Sequence, residues 1–311
     1  MSLLLHSSEL LKIAELGLIY GVVSLGIMLT FRIIDFPDLT CDSSFALGTA
    51  VSAVLIDMQY SPLLAFFGSI LAGGLAGFTT GMVHHKFKVS NLLSGILVAY
   101  MLYTINLDIM REQPTIVLFG KKTLFTSDHN MLVLSVIAII FAYIVWRLLS
   151  SDFGLALRSL GQNKRLGYNY GLNTTFYSII ALVLSNALIG LAGGLYCQFE
   201  GFGDISVGPG TVIVGLAGVM IGEKLMPGKS IFSKVVCCFF GSLAYRYVVG
   251  LAMHTEWIGL KTKDLNLVTG LLVILVMQFS MQKTKGTLKG LKKSRISNSD
   301  SSKDYEGKVE C

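Results

Sequence analysis

The chain has 311 residues, of which 53% are hydrophobic and only 14% charged, and it carries a formal net charge of +6. A soluble domain has about 25% charged residues, so this mixture cannot cover a water-exposed surface, and lipid is the expected solvent for most of the chain. The apolar runs are continuous and do not alternate, which argues against a membrane β-barrel. The basic excess needs no nucleic acid, because anionic membrane lipid accounts for it.

One span needs about 20 apolar residues. On that measure about nine helical segments can be laid out, at 13–31, 43–58, 62–83, 90–107, 131–149, 176–198, 207–222, 231–251 and 265–281. The expected class is therefore all-α, a polytopic membrane protein. The segment at 207–222 is short and reads as either a full span or a re-entrant one. No basic n-region precedes the first segment, which reads as a retained span and not a signal peptide.

Nine spans place four basic regions on one side: His84 to Lys88, the loop with Arg147, Arg158, Lys164 and Arg165, the stretch with Lys224, Lys229 and Lys234, and the tail from Lys283. Basic loops face the cytoplasm, so the C-terminus is expected there and the N-terminus outside. Arg111, Lys121 and Lys122 run against this asymmetry without reversing it. Residues 1–282 are expected to form the membrane domain. Residues 283–311 read as a disordered basic cytoplasmic tail.

Just past the first apolar run, Phe31 to Gly48 reads FRIIDFPDLTCDSSFALG, with Asp35, Asp38, Asp42, Arg32 and Pro37 close together. Within it, Phe36-Pro37-Asp38-Leu39-Thr40 matches Phe202-Gly203-Asp204-Ile205-Ser206 as F-x-D-[L/I]-[S/T]. A segment rich in small residues follows each copy, and the two segments run in opposite directions across the expected topology. Inverted repeats with broken helices are a recurrent transporter plan. Irregular backbone survives at membrane depth only where protein or a water-filled cavity surrounds it. Phe36, Asp38 and Thr40, with Phe202, Asp204 and Ser206, are therefore the expected substrate pathway. They would be the non-helical starts of two half-helices facing a central route, with Asp38 and Asp204 capping them.

Glycines spaced by four (Gly73, Gly77 and Gly81; Gly17 and Gly21; Gly190 and Gly194; Gly218 and Gly222) predict close helix packing. Gly222 to Ser230, GEKLMPGKS, imitates a phosphate-binding loop but has five residues where that loop has four, and an apolar helix precedes it in place of a strand. It reads as a turn, and no nucleotide site is expected in this chain. The five cysteines have no CxxC spacing, and the five histidines are scattered. No metal, cofactor or enzymatic activity is expected. Ser94 finds no facing histidine that would make it a membrane protease nucleophile. Arg246 reads as snorkelling towards the interface. Glu15, Asn106 and Asn186 read as interhelix hydrogen-bonding groups, with a pathway role as the lesser alternative.

The longest cytoplasmic connection is 151–175. Within it, Gly154-Leu155-Ala156-Leu157-Arg158-Ser159-Leu160-Gly161 predicts a short helix with Leu157 and Leu160 as an apolar knob and Arg158 on a basic rim. Such a helix suits docking into a groove on a soluble partner, or lying on the membrane surface.

From these residues a resemblance follows. ALRSLGQNKRLGYNYGLN is similar to the coupling loop of ATP-binding cassette import permeases of the branched-chain amino acid and ribose permease family. TFRIIDFPDLTCDSSFALG resembles the first-repeat signature of a lineage that accompanies binding proteins for tryptophan, tyrosine or related ligands. LIGLAGGLYCQFEGFGDISVGPGTVIVGLAGVMIGE fits the second repeat. The likeness spans about residues 12 to 282. It departs at Asp42-Ser43-Ser44-Phe45 and Tyr168-Asn169-Tyr170, where lineage members carry small or uncharged residues.

The resemblance implies a bacterial inner-membrane permease, dimeric and most simply a homodimer. Its implied partners are a cassette ATPase that binds the ATP and an extracytoplasmic substrate-binding protein. Gly154, Leu155, Leu157, Arg158, Leu160 and Gly161 would make the ATPase-coupling helix. The expected cargo is a small solute, an amino acid and in particular an aromatic one. The alternatives are sugar or nucleoside import by the same class, or an ion-driven secondary transporter using Asp38 and Asp204 as ion ligands.

Overall fold

The computed structural model describes residues 7–125, 130–163, 169, 171–228, 230–254, 269–271 and 273–274. In chain order the helices are α1 (Ser7–Ile27), α2 (Thr40–Asp57), α3 (Pro62–Phe87), α4 (Asn91–Ile109), α5 (Asn130–Ser150), α6 (Asp152–Gln162), α7 (Thr174–Glu200), α8 (Thr211–Leu225) and α9 (Ile231–His254). Two short strands, β1 (Thr115–Val117) and β2 (Phe202–Asp204), pair antiparallel with Ile116 opposite Gly203. These elements belong to the unit Met1–Asn266, and Leu267–Cys311 form a second unit. The expected ninth segment, 265–281, falls largely outside the described residues, and the tail 283–311 wholly so.

Seven stretches among the described residues are long and apolar enough to cross a membrane: α1 with the turn after it, α3, α4, α5, α7, α8 with the turn before it, and α9. The segment at 207–222 thus belongs to a span-length stretch. α2 has 18 residues and is not among the seven. Large apolar side chains point out along α3 at helical spacing (Leu63, Phe67, Leu71, Leu75 and Phe78), as a lipid-facing stripe requires.

The neighbour relations reveal the repeat. α3 packs on α7, and α9 packs on α1. α2 lies against α3 and α7, while α8 lies against α9 and α1. Exchanging α1, α2, α3 with α7, α8, α9 therefore maps the packing onto itself. α1 runs towards the end of the molecule that carries α6, and α7 runs away from it to the end that carries the β1–β2 ribbon. The repeat is inverted.

The seams use small residues, as expected. A Cβ on Gly48 would strike the backbone oxygen of Gly190, and one on Gly241 would strike that of Gly218. Serine hydroxyls then reach backbone oxygens across the seams: Ser185 to Gly26 (2.7 Å), Ser242 to Gly17 (2.7 Å), Ser69 to Gly48 (3.1 Å) and Ser24 to Gly215 (3.2 Å). Each such bond gives a membrane helix pair about 0.6–2 kcal/mol.

Candidate functional site

Both repeats contain a break between a long helix and a shorter one. α1 widens into a π-turn over Met28–Ile33, and Phe36 N–H donates to the Thr30 oxygen at 2.8 Å. Asp35 then takes the left-handed region at φ 51°, and Pro37, which lacks an N–H, cannot continue a helical ladder. In the second break Gly201 ends α7 at φ 77°, β2 follows, and Gly208, Pro209 and Gly210 (φ 94°) lead into α8.

The sequence match between the breaks corresponds to a shared local geometry. Asp38 Oδ1 accepts from Thr40 N–H at 2.9 Å, and Asp204 Oδ1 accepts from Ser206 N–H at 2.6 Å. Each aspartate closes a turn on the residue two positions on. Their surroundings differ completely. Asp38 is fully buried, and its Oδ2 accepts from Asn186 Nδ2 of α7 at 2.7 Å. Asn186 Oδ1 in turn accepts from Ser44 Oγ of α2 at 2.7 Å. Thr40 Oγ1 lies 2.7 Å from Thr80 Oγ1 of α3. The first break is thus tied by one buried polar network to α2, α3 and α7. Asp204 is only partly buried, and its Oδ2 accepts from Thr115 Oγ1 of β1 at 2.7 Å. Partial burial pushes its carboxyl up, but the hydrogen bonds from Ser206 and Thr115 outweigh this and hold it below the usual carboxylate range.

The expected pathway residues therefore do not face one another. Asp38 and Thr40, fully buried, and Phe36, nearly so, sit towards the α6 end, with Phe36 edge-on to His84 at 5.1 Å. Phe202, Asp204 and Ser206 sit at the ribbon end. Asp38 does bond the first N–H of its half-helix, as expected of a cap. Asp204 does not cap α8, because four residues, Val207 to Gly210, lie between Ser206 and its first residue, Thr211. Asp42 takes that role across the repeats: its carboxylate accepts from Val212 N–H at 2.8 Å and Gly210 N–H at 3.2 Å. One half-helix thus supplies the cap of the other, and their N-termini meet inside the bundle. The three aspartates of the first break accordingly have three jobs: Asp35 makes a left-handed turn, Asp38 ties the network, and Asp42 caps α8.

The predicted short helix exists as α6, and Ser151 Oγ accepts from Gly154 N–H at its start. The expectation of a Leu157–Leu160 knob is corrected. Both leucines are buried in the chain's own core, in one cluster with Leu29, Ile33, Ile34 and Leu149. They are the face that pins α6 to the bundle. Leu155 is 58% exposed and is the apolar side chain that projects outward, beside the partly exposed Arg158. The flanking glycines are contact points: a Cβ on Gly154 would strike the Leu149 backbone, and one on Gly161 would strike the Ile33 oxygen. α6 therefore rests directly on the last residues before the first break. Arg32 and Glu223, 2.5 Å apart, join the end of α1 to the end of α8 at the same pole. The rest of the predicted loop, 164–168 and 170, lies outside the described residues.

Asn186 makes the interhelix bonds expected of it. Asn106 donates to the Ser43 oxygen at 3.5 Å, and Glu15 is buried in α1. Arg246 departs from the snorkelling expectation: its guanidinium lies over the ring of Tyr20, 3.9 Å from the centroid.

A polytopic bundle with two inverted, broken repeats and a short helix docked on one break is transporter architecture. The family model described as "Branched-chain amino acid transport system / permease component" matches residues 9–281. This chain belongs to that permease family. A tyrosine transport system permease protein of Clostridioides difficile is 35% identical over 287 residues, 90% of this chain and 96% of that one. An uncharacterized protein of Rickettsia prowazekii is 32% identical over 86% of this chain and 95% of its own length. Among solved structures, PsaBC from Streptococcus pneumoniae in complex with Fab is similar at a TM-score of 0.53, with 16% identity over 86% of this chain and 89% of that one. That last likeness speaks for the fold. The chain is thus a permease component of a transport system.

Proposed function

We propose that this permease moves an aromatic amino acid inward across the bacterial cytoplasmic membrane, powered by a separate cassette ATPase that docks on α6. The observation that carries the reading is the seat of α6. Its Gly161 lies against Ile33, two residues before the left-handed turn at Asp35, so a push on α6 reaches the first break without an intermediary. From there the path continues through Asp38 to α7 and through Asp42 to the start of α8. Closure of the ATPase pair would shift α6, move the break and re-space the two half-helix N-termini, giving alternating access. The α6 pole is then cytoplasmic, and the ribbon pole receives the extracytoplasmic binding protein. A second permease copy completes the transporter. The amino-acid cargo is supported by the tyrosine permease relative.

The test is affinity purification of the tagged chain from native membranes. A cassette ATPase should co-elute. It should be lost in the exposed-face variant Leu155→Asp/Arg158→Glu while the permease yield holds. A chain that elutes alone and sustains ion-driven uptake would replace this reading with that of a secondary transporter.

A further inference from the structure

In the ribbon-end half of the bundle, four rings from four elements form a chain that ends on a cation. Tyr20 of α1 lies 5.9 Å from Phe45 of α2, Phe45 lies 5.6 Å from Tyr196 of α7, and Tyr196 lies 6.3 Å from Phe202 of β2. The guanidinium of Arg246, from α9, covers the ring of Tyr20. Phe45 is fully buried and Tyr20 nearly so, while Tyr196, Phe202 and Arg246 are partly buried. The cluster borders both breaks: Phe202 belongs to the second, and Phe45 is three residues on from Asp42, the cap of α8.

Arg246 is the unusual member. Its Nε is shut off from solvent with no hydrogen-bond acceptor, and it takes part in neither of the two ion pairs of the described residues. A guanidinium keeps its charge at any physiological pH and offers five donors in a fork that fits a carboxylate. A ring face satisfies the charge only in part and the donors not at all. A charge within a span that faces other helices, with no ion-pair partner among the described residues, is a functional position by default. An arginine that merely snorkels would extend to the interface, whereas this one turns across the seam onto α1.

We propose that Arg246, with Tyr20, Phe45, Tyr196 and Phe202, is a recognition site for a small carboxylate bearing an aromatic ring. The carboxylate takes the guanidinium fork in competition with the Tyr20 face, and the ring inserts among the other rings in offset or edge-on contact. The inference rests on the transport reading for what the site is for, but its binding chemistry stands apart from the ATPase. The site gives the permease its own check on cargo, separate from that of any binding protein.

The test uses the detergent-purified full chain and saturation-transfer NMR with three probes: L-phenylalanine, L-phenylalaninol (the same molecule with an alcohol for the carboxylate) and L-leucine. Transfer to the phenylalanine ring protons should exceed that to phenylalaninol, and that to the leucine methyls, at least fivefold. Arg246→Gln should abolish the preference over phenylalaninol, and Arg246→Lys should keep part of it. Size-exclusion chromatography of each variant checks that it folds, and the comparison of probes on the unaltered chain decides the matter even if a variant does not. No transfer to phenylalanine, equal transfer to phenylalaninol or leucine, or an unchanged preference in folded Arg246→Gln overturns the proposal. ATPase co-elution from the same membranes separates the two readings. Co-elution without carboxylate preference overturns the site alone, and preference without co-elution overturns the importer reading alone.

Discussion

The two breaks share a motif and a turn, and they differ in what holds them. At the first, Asp38 is sealed among α2, α3 and α7, with both oxygens bonded by buried partners. At the second, Asp204 binds a neighbouring serine and a ribbon threonine, partly open to solvent. The same F-x-D-[L/I]-[S/T] sequence therefore makes a buried linchpin in one repeat and a rim latch in the other. The rigid break sits under α6, where force is expected to enter. The looser one sits at the opposite pole, where it can yield to an arriving ligand or partner. Equivalent sequence in an inverted repeat need not mean equivalent mechanics.

The contrast is open to direct attack. Asp38→Ala strands the Thr40 N–H and one N–H of the Asn186 amide, whose other bonds go to Leu182 and Ser44, in a dry interior, at about 1–3 kcal/mol for each unsatisfied group. It should give the largest loss in thermal stability in detergent, or no accumulation at all. Asp204→Ala should cost about 1 kcal/mol, because water can replace the lost partners. Equal losses would erase the distinction between the breaks. Asp42→Ala removes the cap of α8 and should cost about 0.5–2 kcal/mol. Asp42→Asn, which retains an acceptor, should recover part of that in the same melting assay.

The smallest effect concerns pH. The Asp204 carboxyl is held below its ordinary value, so its contribution is complete above the ordinary carboxylate range. That contribution is lost only as pH falls through the depressed folded value. Opening of the β1–β2 ribbon, followed by amide exchange corrected for its intrinsic rate, should therefore not change between about pH 8 and pH 5. A loosening within that window would show that Asp204 does not hold the ribbon.

Much of the architecture was legible in the sequence, because a span is announced by length and hydropathy alone. The repeat was legible too, since F-x-D-[L/I]-[S/T] fixes a local turn. What the motif could not say was which pole each copy occupies in depth. Asp204 looked like a cap for α8, but Val207 to Gly210 lengthen the second break and carry it away. Asp42 was visible only as an odd charge, because its partners, Gly210 and Val212, lie 168 and 170 positions on. Leu157 and Leu160 looked like a knob because helical spacing marks an apolar face without saying what covers it. Gly154 and Gly161 carried the missing signal: glycines at both ends of a short helix mark close approach to another backbone. Arg246 shows a similar limit, since a lone arginine near a span end has the same sequence whether it snorkels or turns inward.

The central claim is that α6 passes its motion to the first break through the Gly161–Ile33 contact. The direct measurement is substrate uptake per ATP hydrolysed by the reconstituted complex carrying Gly161→Ala. The added methyl would strike the Ile33 oxygen, so the two elements must separate. The account predicts an assembled complex that still hydrolyses ATP, with uptake per ATP reduced at least tenfold. An unchanged ratio in a folded, assembled complex would contradict it.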